Sequence, residues 1–170
     1  MVTRRQAREW AVMMLCECDL NPPESIEAAM SAFWVMQQDV EVEGLKDGEY
    51  GIRDAFTGKG RKHAASLIEM KAFAEERIKG VLGKLDEIDA ALDPFLEHWA
   101  IYRLGTVVRN VLRLGAWEIA YASDIPVPIA INEAVDIAKF FSDSQSGRFV
   151  NGVLDKYAKS LPVRKPATAE

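Results

Sequence analysis

A cluster of arginines opens the chain. Arg4, Arg5 and Arg8 lie in the first two turns of a segment whose apolar residues recur at helical spacing, and Thr3 is its expected N-cap. Cations at this positive end of a helix dipole cost about 0.3–1 kcal/mol each, and Arg4 and Arg8 repel each other as i, i+4 neighbours. Together with the free N–H groups of the first turn, such residues can hold an external anion such as phosphate. The same pattern is also typical of a solubilising helix end, and the residues alone leave both interpretations open.

The charge of the chain is unevenly distributed. Its net charge is −5, yet residues 1–10 carry three arginines against Glu9. Residues 11–49 hold nine acids and one base, whereas residues 50–63 hold four bases and one acid. Because charges act over roughly 10 Å at physiological salt, a basic segment can attract a polyanion even in an acidic protein. The bases at 59–62 are interpreted as a solvated loop, with a second phosphate contact as the alternative.

Residue types that serve catalysis or metal binding are sparse. The two histidines, His63 and His98, stand beside no nucleophile in a known motif. Cys16 and Cys18 are two residues apart on the first helix, so they point to different sides and give neither a disulfide nor a metal site. We therefore predict a non-enzymatic protein without cofactor or metal.

The sequence also bears on location. No apolar run approaches the ~18 residues that a membrane span needs, and no apolar stretch follows the charges at the N-terminus. Together with the two unpaired cysteines, this predicts a cytoplasmic protein that has no membrane partner.

Helical periodicity runs through most of the chain, and no segment alternates with a period of two over the length of a strand. We therefore predict an all-α fold. The segment 103–122 is apolar nearly all round, so we expect it at the centre of a bundle. Within it, Arg113 is expected to pair with Glu118 or Glu133. Four residues on apolar stripes are expected in the core: Trp10, Trp34, Trp99 and Trp117.

A length of 170 residues fits one domain, which we place at residues 1–161. Between residues 39 and 63 the periodicity fails and five glycines occur, which predicts a long flexible loop. Residues 162–170 are expected to form a disordered tail.

Several blocks of the sequence, in their order and spacing, resemble the NusB family of transcription antitermination factors. They cover roughly residues 3–20 and 70–160. The blocks are RRQAREWAV at 4–12, AEERIKGVL at 74–82, PFLEHW at 94–99, RNVLRLGAWEI at 109–119, AINEAVDIAK at 130–139 and RFVNGVLD at 148–155.

This resemblance implies a fold of two small packed helical bundles with about seven helices. It implies binding to box A, a single-stranded RNA element of ribosomal RNA leader transcripts. It further implies a heterodimer with the ribosomal protein NusE and assembly into the RNA polymerase antitermination complex, and it leaves a homodimer open.

The resemblance also assigns roles to residues. The RNA-binding residues it implies are Arg4, Arg5 and Arg8 on the first helix and Gln145, Arg148 and Phe149 at the start of the last helix. The NusE-facing residues it implies are Val108, Arg109 and Leu112.

The chain departs from the family pattern at two positions. Cys16 stands where many members carry an aromatic residue, so a stacking contact there is lost or moved. Val108 stands where an acid is common, so an ion pair to NusE cannot form at that point. These departures keep a second hypothesis open: a helical interaction module that binds NusE or another partner with weak or lost RNA binding.

Overall fold

The computed structural model describes residues 3–45, 58–97 and 99–162, with the side chains of residues 3–37, 65–97 and 99–162. The described residues form seven α-helices and no strand, so the predicted all-α class is confirmed. Short 3-10 turns at Asp93–Phe95 and Ile101–Arg103 connect the fourth and fifth helices. The helices are α1 Arg4–Leu20, α2 Ile26–Leu45, α3 Gly58–Gly83, α4 Leu85–Leu92, α5 Thr106–Tyr121, α6 Val127–Phe141 and α7 Ser144–Ser160.

Helix α1 begins where the sequence predicts. The Thr3 hydroxyl accepts a hydrogen bond from the Gln6 backbone N–H, and the Gln6 side chain accepts one from the Thr3 N–H. This reciprocal capping box fixes the first turn of the helix, which carries Arg4 and Arg5. The predicted apolar stripe of α1 is buried: Ala7, Trp10, Ala11, Met14, Leu15 and Cys18.

Helix α5 lies at the centre of the molecule, as its all-round apolar character predicts. Every residue from Asn110 to Ile119 is buried, and the helix packs against α1, α3, α4, α6 and α7. At Gly115 the backbone approaches closely enough that an added Cβ would lie 2.6 Å from a Leu154 methyl and 3.3 Å from the Ala134 Cβ. A glycine here therefore lets α6 and α7 pack tightly on α5.

The predicted loop at 39–63 is wrong at both of its ends. Helix α2 continues to Leu45 and α3 starts at Gly58. Glycines such as Gly44 and Gly60 lower helix propensity by only about 1 kcal/mol each, so long flanking helices extend through them. The centre of the predicted loop, residues 46–57, and the tail from residue 163 lie outside the described residues.

Two expectations about single residues are also corrected. Trp99 is 55% exposed, because it follows a 3-10 turn in an irregular connection where helical periodicity does not apply. Arg113 pairs with Asp89 at 2.7 Å and Asp19 at 3.2 Å, not with Glu118 or Glu133. The carboxylates that reach it come from α4 and α1, which pack beside α5 at this level.

Candidate nucleic-acid interface

The three arginines of α1 differ sharply in exposure. Arg4 is exposed, the Arg5 side chain is 34% exposed, and the Arg8 side chain is 3% exposed. Arg8 was predicted to hold RNA, but its guanidinium is directed into the protein. The basic surface at this end of α1 therefore consists of Arg4 and Arg5.

Arg8 belongs to a buried ionic network. Its Nε donates to both carboxylate oxygens of Glu118 at 3.0 Å, and the Nε of Arg77 donates to the same carboxylate at 2.5 Å. The exposed fractions of the Glu118 and Arg77 side chains are both 1%. Glu118 thus joins α1 and α3 to the central helix. An ion pair this deeply buried stabilises the fold only while each charge keeps its partner.

The aromatic ring of Phe73 connects this network to the surface. The guanidinium carbon of Arg77 lies 3.2 Å from the ring centroid, and those of Arg8 and Arg4 lie at 5.1 and 5.3 Å. A cation over an aromatic ring is stabilised by the ring quadrupole. The Phe73 ring therefore lies near both the exposed guanidinium of Arg4 and the buried guanidiniums of Arg8 and Arg77.

Arg5 is held by two carboxylates of α6. Its Nε and Nη2 donate to Glu133 at 2.6 and 2.9 Å, and Nη2 also donates to Asp136 at 2.8 Å. The hydrogen bonds that Arg5 donates to Glu133 raise the pKa of Arg5 and lower the pKa of Glu133. Both groups are ionised at neutral pH, so Arg5 reaches the surface in a fixed orientation, with part of its charge neutralised.

The pairing of Glu133 with Arg5 predicts a pH dependence of stability. Because the pKa of Glu133 is lowered from 4.5 in the folded state, its contribution is present above that value and lost as the pH falls through the lower folded pKa. We expect the unfolding free energy of the Glu133→Gln variant to fall less than that of the parent between about pH 5 and pH 3. Urea unfolding at each pH measures this difference, and Glu24→Gln at an exposed position controls for the lost charge. Parallel pH curves for Glu133→Gln and the parent would contradict the assignment.

A second group of predicted RNA-binding residues lies at the start of α7. Gln145 and Arg148 are exposed, whereas Phe149 is half-buried and packs against the core. The Asp143 side chain caps the helix by accepting from the Ser146 N–H at 2.7 Å. Arg148 has no ion-pair partner in the part of the chain that the structure describes, so its charge remains available.

Helix α6 lies between the two basic groups. It holds Arg5 through Asp136, and one turn later the Lys139 side chain packs over Gly147 of α7, directly before Arg148. An added Cβ at Gly147 would lie 2.6 Å from Cγ of Lys139. Arg5 and Arg148 are thus linked through a single helix, on a surface that we call the basic face: Arg4, Arg5, Lys139, Gln145 and Arg148.

The predicted partner surface on α5 is only partly exposed. Val108 is half-buried, and Leu112 is completely buried, so the expectation that Leu112 faces a partner is corrected. Arg109 donates to Asp19 at 2.6 and 2.8 Å and to the backbone oxygens of Tyr102 and Leu104 at 3.0 Å. These four contacts make Arg109 a structural link between α1 and the start of α5.

Sequence reasoning missed Arg77 and assigned Glu118 to the wrong partner, although a signal was present. Arg77 lies three residues after Ala74 and four before Val81, both fully buried. Arg8 likewise precedes Ala11 and Val12 by three and four residues, so both arginines share the apolar stripes of their helices. An arginine inside an apolar stripe indicates a buried ion pair as much as an external ligand.

Two properties of the described residues bear on other functions. No group of three or more His, Cys, Asp or Glu side chains is placed to hold a metal ion within residues 3–37, 65–97 and 99–162. Among the helices that the structure describes, none is long and apolar enough to cross a membrane.

An all-helical protein with exposed arginines at one helix terminus and a second basic terminus nearby has the features of a small nucleic-acid-binding protein. The NusB family model matches residues 5–159, and the chain belongs to the NusB family. It is 32% identical over 156 residues to the transcription antitermination protein NusB of Thermodesulfovibrio yellowstonii, covering 92% of this chain and 91% of that protein.

Solved structures agree with this assignment. NusB of Thermotoga maritima has a TM-score of 0.67 and 29% identity, covering 93% of this chain and 92% of that one. A structure of the antitermination factors NusB and NusE in complex with double-stranded RNA has a TM-score of 0.63 and 25% identity, covering 93% of this chain and 97% of that one.

Proposed function

We propose that this protein is a non-enzymatic transcription antitermination factor that binds box A RNA together with NusE. The observation that carries the proposal is the exposure of Arg4 and Arg148 at two helix termini that α6 links through Arg5 and Lys139. Guanidiniums at helix N-termini hold phosphate oxygens through charge-assisted hydrogen bonds. Membership of the NusB family and the NusB–NusE–RNA structure support the same function.

The residues in and beneath the basic face have different roles in the proposed binding. Arg4 and Arg148 supply charge that no carboxylate of the described residues neutralises, whereas Arg5 is pre-oriented by Glu133 and Asp136. Arg8 acts as a positioning residue, because it holds α1 on α5 through Glu118 and does not reach the surface.

The test is a titration of a labelled single-stranded box A oligonucleotide at several salt concentrations. We expect Arg4→Ala and Arg148→Ala each to weaken binding about tenfold and to reduce the slope of log K against log salt by about 0.7, the value for one phosphate contact on a single strand. The matched control is Arg103→Ala, which changes an exposed arginine in the second 3-10 turn. This turn lies near the C-terminal end of α1, because Arg109 of α5 contacts both Tyr102 of the turn and Asp19 of α1.

Unchanged affinity and salt slope in both Arg4→Ala and Arg148→Ala would remove the basic face from RNA binding. A duplex of the same sequence is titrated in parallel, because the related NusB–NusE structure contains double-stranded RNA. Tighter binding of the duplex would overturn the preference for a single strand.

A second candidate function is an interaction module that binds NusE with weak or lost RNA binding. Two exposed aromatic residues favour it: Trp99 and Tyr102, 55% and 72% exposed, precede the start of α5, where Val108 lies. Capture of NusE without RNA, combined with no measurable RNA affinity of the isolated chain or of the NusE complex, would favour this candidate.

The remaining assignments follow from the first. We place the protein in the cytoplasm, in the RNA polymerase antitermination complex, as a protein without cofactor or metal. Sedimentation of the chain alone and with NusE distinguishes a homodimer from a heterodimer.

A further inference from the structure

The last turn of α6 presents an aromatic ring to solvent within the basic face. Phe140 is 70% exposed. Its ring stands nearly perpendicular to that of Phe141, with centroids 5.0 Å apart, and Phe141 is half-buried against the core. Phe141 thus anchors the end of α6, while most of the Phe140 ring remains free to contact a ligand.

The position of Phe140 relates it to Arg5. Glu133, Asp136 and Phe140 follow one another at intervals of three and four residues, so they share one face of α6. Both carboxylates of this face hold the Arg5 guanidinium. One helical turn, about 6 Å along the axis, separates Phe140 from Asp136.

On the other side, Phe140 is close in sequence to the start of α7. Its neighbour Lys139 packs over Gly147, which precedes the exposed Arg148. The nearby acids are engaged, since Asp136 binds Arg5 and Asp143 caps α7. Phe140 therefore lies one turn beyond the residue that binds Arg5 and next to the residue that packs against the start of α7.

We propose that Phe140 is a stacking platform for one nucleobase of single-stranded RNA, with a flanking phosphate held by Arg148. This inference rests on the proposed function and names a further contact of the same site. Proteins that bind single strands combine cations along the backbone with aromatic rings on which bases stack. A duplex keeps its bases paired and stacked internally, so this platform favours a single strand.

A nucleobase fits this ring better than a protein partner does. The exposed residues next to Phe140 on α6 are charged, Asp136 one turn before it and Lys139 beside it in the chain, whereas the ring that it contacts, Phe141, is half-buried. Protein docking sites are contiguous apolar patches, whereas stacking requires one accessible ring and charges that hold the phosphates.

The test compares Phe140→Ala, Phe140→Tyr and the parent in the oligonucleotide titration. We expect Phe140→Ala to weaken binding to a single strand about tenfold, within the range measured for single base–aromatic stacks. Phe140→Tyr should bind like the parent, because its ring is retained. The slope against salt should be the same for all three proteins, because stacking releases no counterion.

A set of oligonucleotides with one abasic position each locates the partner base. When the abasic position is that of the stacked base, Phe140→Ala and the parent should bind the oligonucleotide equally, because the base that stacks on Phe140 is already absent. Leu20→Ala, at an apolar side chain that is 66% exposed at the opposite end of α1 from Arg4, is the matched control and should leave affinity unchanged. Thermal unfolding confirms that each variant is folded.

The outcomes separate this inference from the proposed function. If the parent binds RNA and Phe140→Ala binds equally well, the stacking platform is wrong and the proposed function stands. If Phe140→Ala changes the salt slope, or its loss persists at every abasic position, the ring acts otherwise than by stacking. If the parent and its NusE complex bind no RNA, both proposals are wrong.

Discussion

Replacing Glu118 by alanine is expected to lower the free energy of unfolding by about 3–5 kcal/mol, the usual cost of removing one partner from a buried ion pair. The substitution removes the buried carboxylate that Arg8 and Arg77 share, and the side chains of these arginines are 3% and 1% exposed. Among the described residues, Arg8 then keeps Glu133 at 3.6 Å and Arg77 keeps Glu76 at 3.1 Å, both on more exposed side chains. The Nη2 atoms of both arginines already lack a hydrogen-bond partner among the described residues.

Urea unfolding followed by circular dichroism measures the effect of Glu118→Ala. The matched control is Asp155→Ala, which removes an exposed carboxylate that pairs with Lys159 at 2.7 Å. Surface pairs contribute about 0–1 kcal/mol, so the control should remain close to the parent. A loss below about 1 kcal/mol for Glu118→Ala would contradict the proposed role of the network. If Glu118→Ala does not fold, Glu118→Gln, which keeps the volume and one acceptor oxygen for the arginine N–H groups, should recover part of the stability.

Gly80→Ala is expected to destabilise the protein by about 3 kcal/mol, at the upper end of the usual cost of overpacking. A Cβ at this position of α3 would overlap the indole ring of Trp117. Trp117 belongs to the central helix and is itself 7% exposed, so the ring has little room to move. The propensity gain of alanine over glycine, about 1 kcal/mol, offsets only part of this cost.

Gly152→Ala provides the comparison for this substitution. Gly152 lies inside α7, is exposed, and has no heavy atom within 4 Å of an added Cβ. The same change should therefore stabilise the protein by roughly 0.5–1 kcal/mol. Thermal and urea unfolding of both variants measure the contrast. Equal effects at the two positions would show that α3 does not approach α5 as closely as described.

Much of the fold follows from local signals in the sequence. Thr3 is the expected N-cap of α1, and the central position of α5 follows from its all-round apolar sequence. The segment 39–63 was misjudged because Gly44 and Gly60 weaken the periodic pattern without ending a long helix. Trp99 was misplaced because its spacing imitates a helical stripe in a segment that is not helical.

The candidate site was less predictable, because its residues come from different helices. That Arg8 meets Glu118, and that Arg113 meets Asp89 and Asp19, depends on how α1, α3 and α4 dock on α5. No local pattern fixes which carboxylate a given arginine reaches. The resemblance to the NusB family indicated the two helix termini that carry Arg4 and Arg148, but it could not distinguish exposed arginines from a buried one.

The different exposure of the three arginines of α1 has a consequence for redesign. Position 8 is committed to the interior, whereas the side chain at position 4 is exposed and that at position 5 is partly exposed. A substitution at position 4 therefore changes the exposed charge of α1 without breaking an ion pair of the described residues, whereas a substitution at position 5 also removes the pairs with Glu133 and Asp136. In α1, surface charge can thus be varied at position 4, while Arg8 keeps the helix attached to α5.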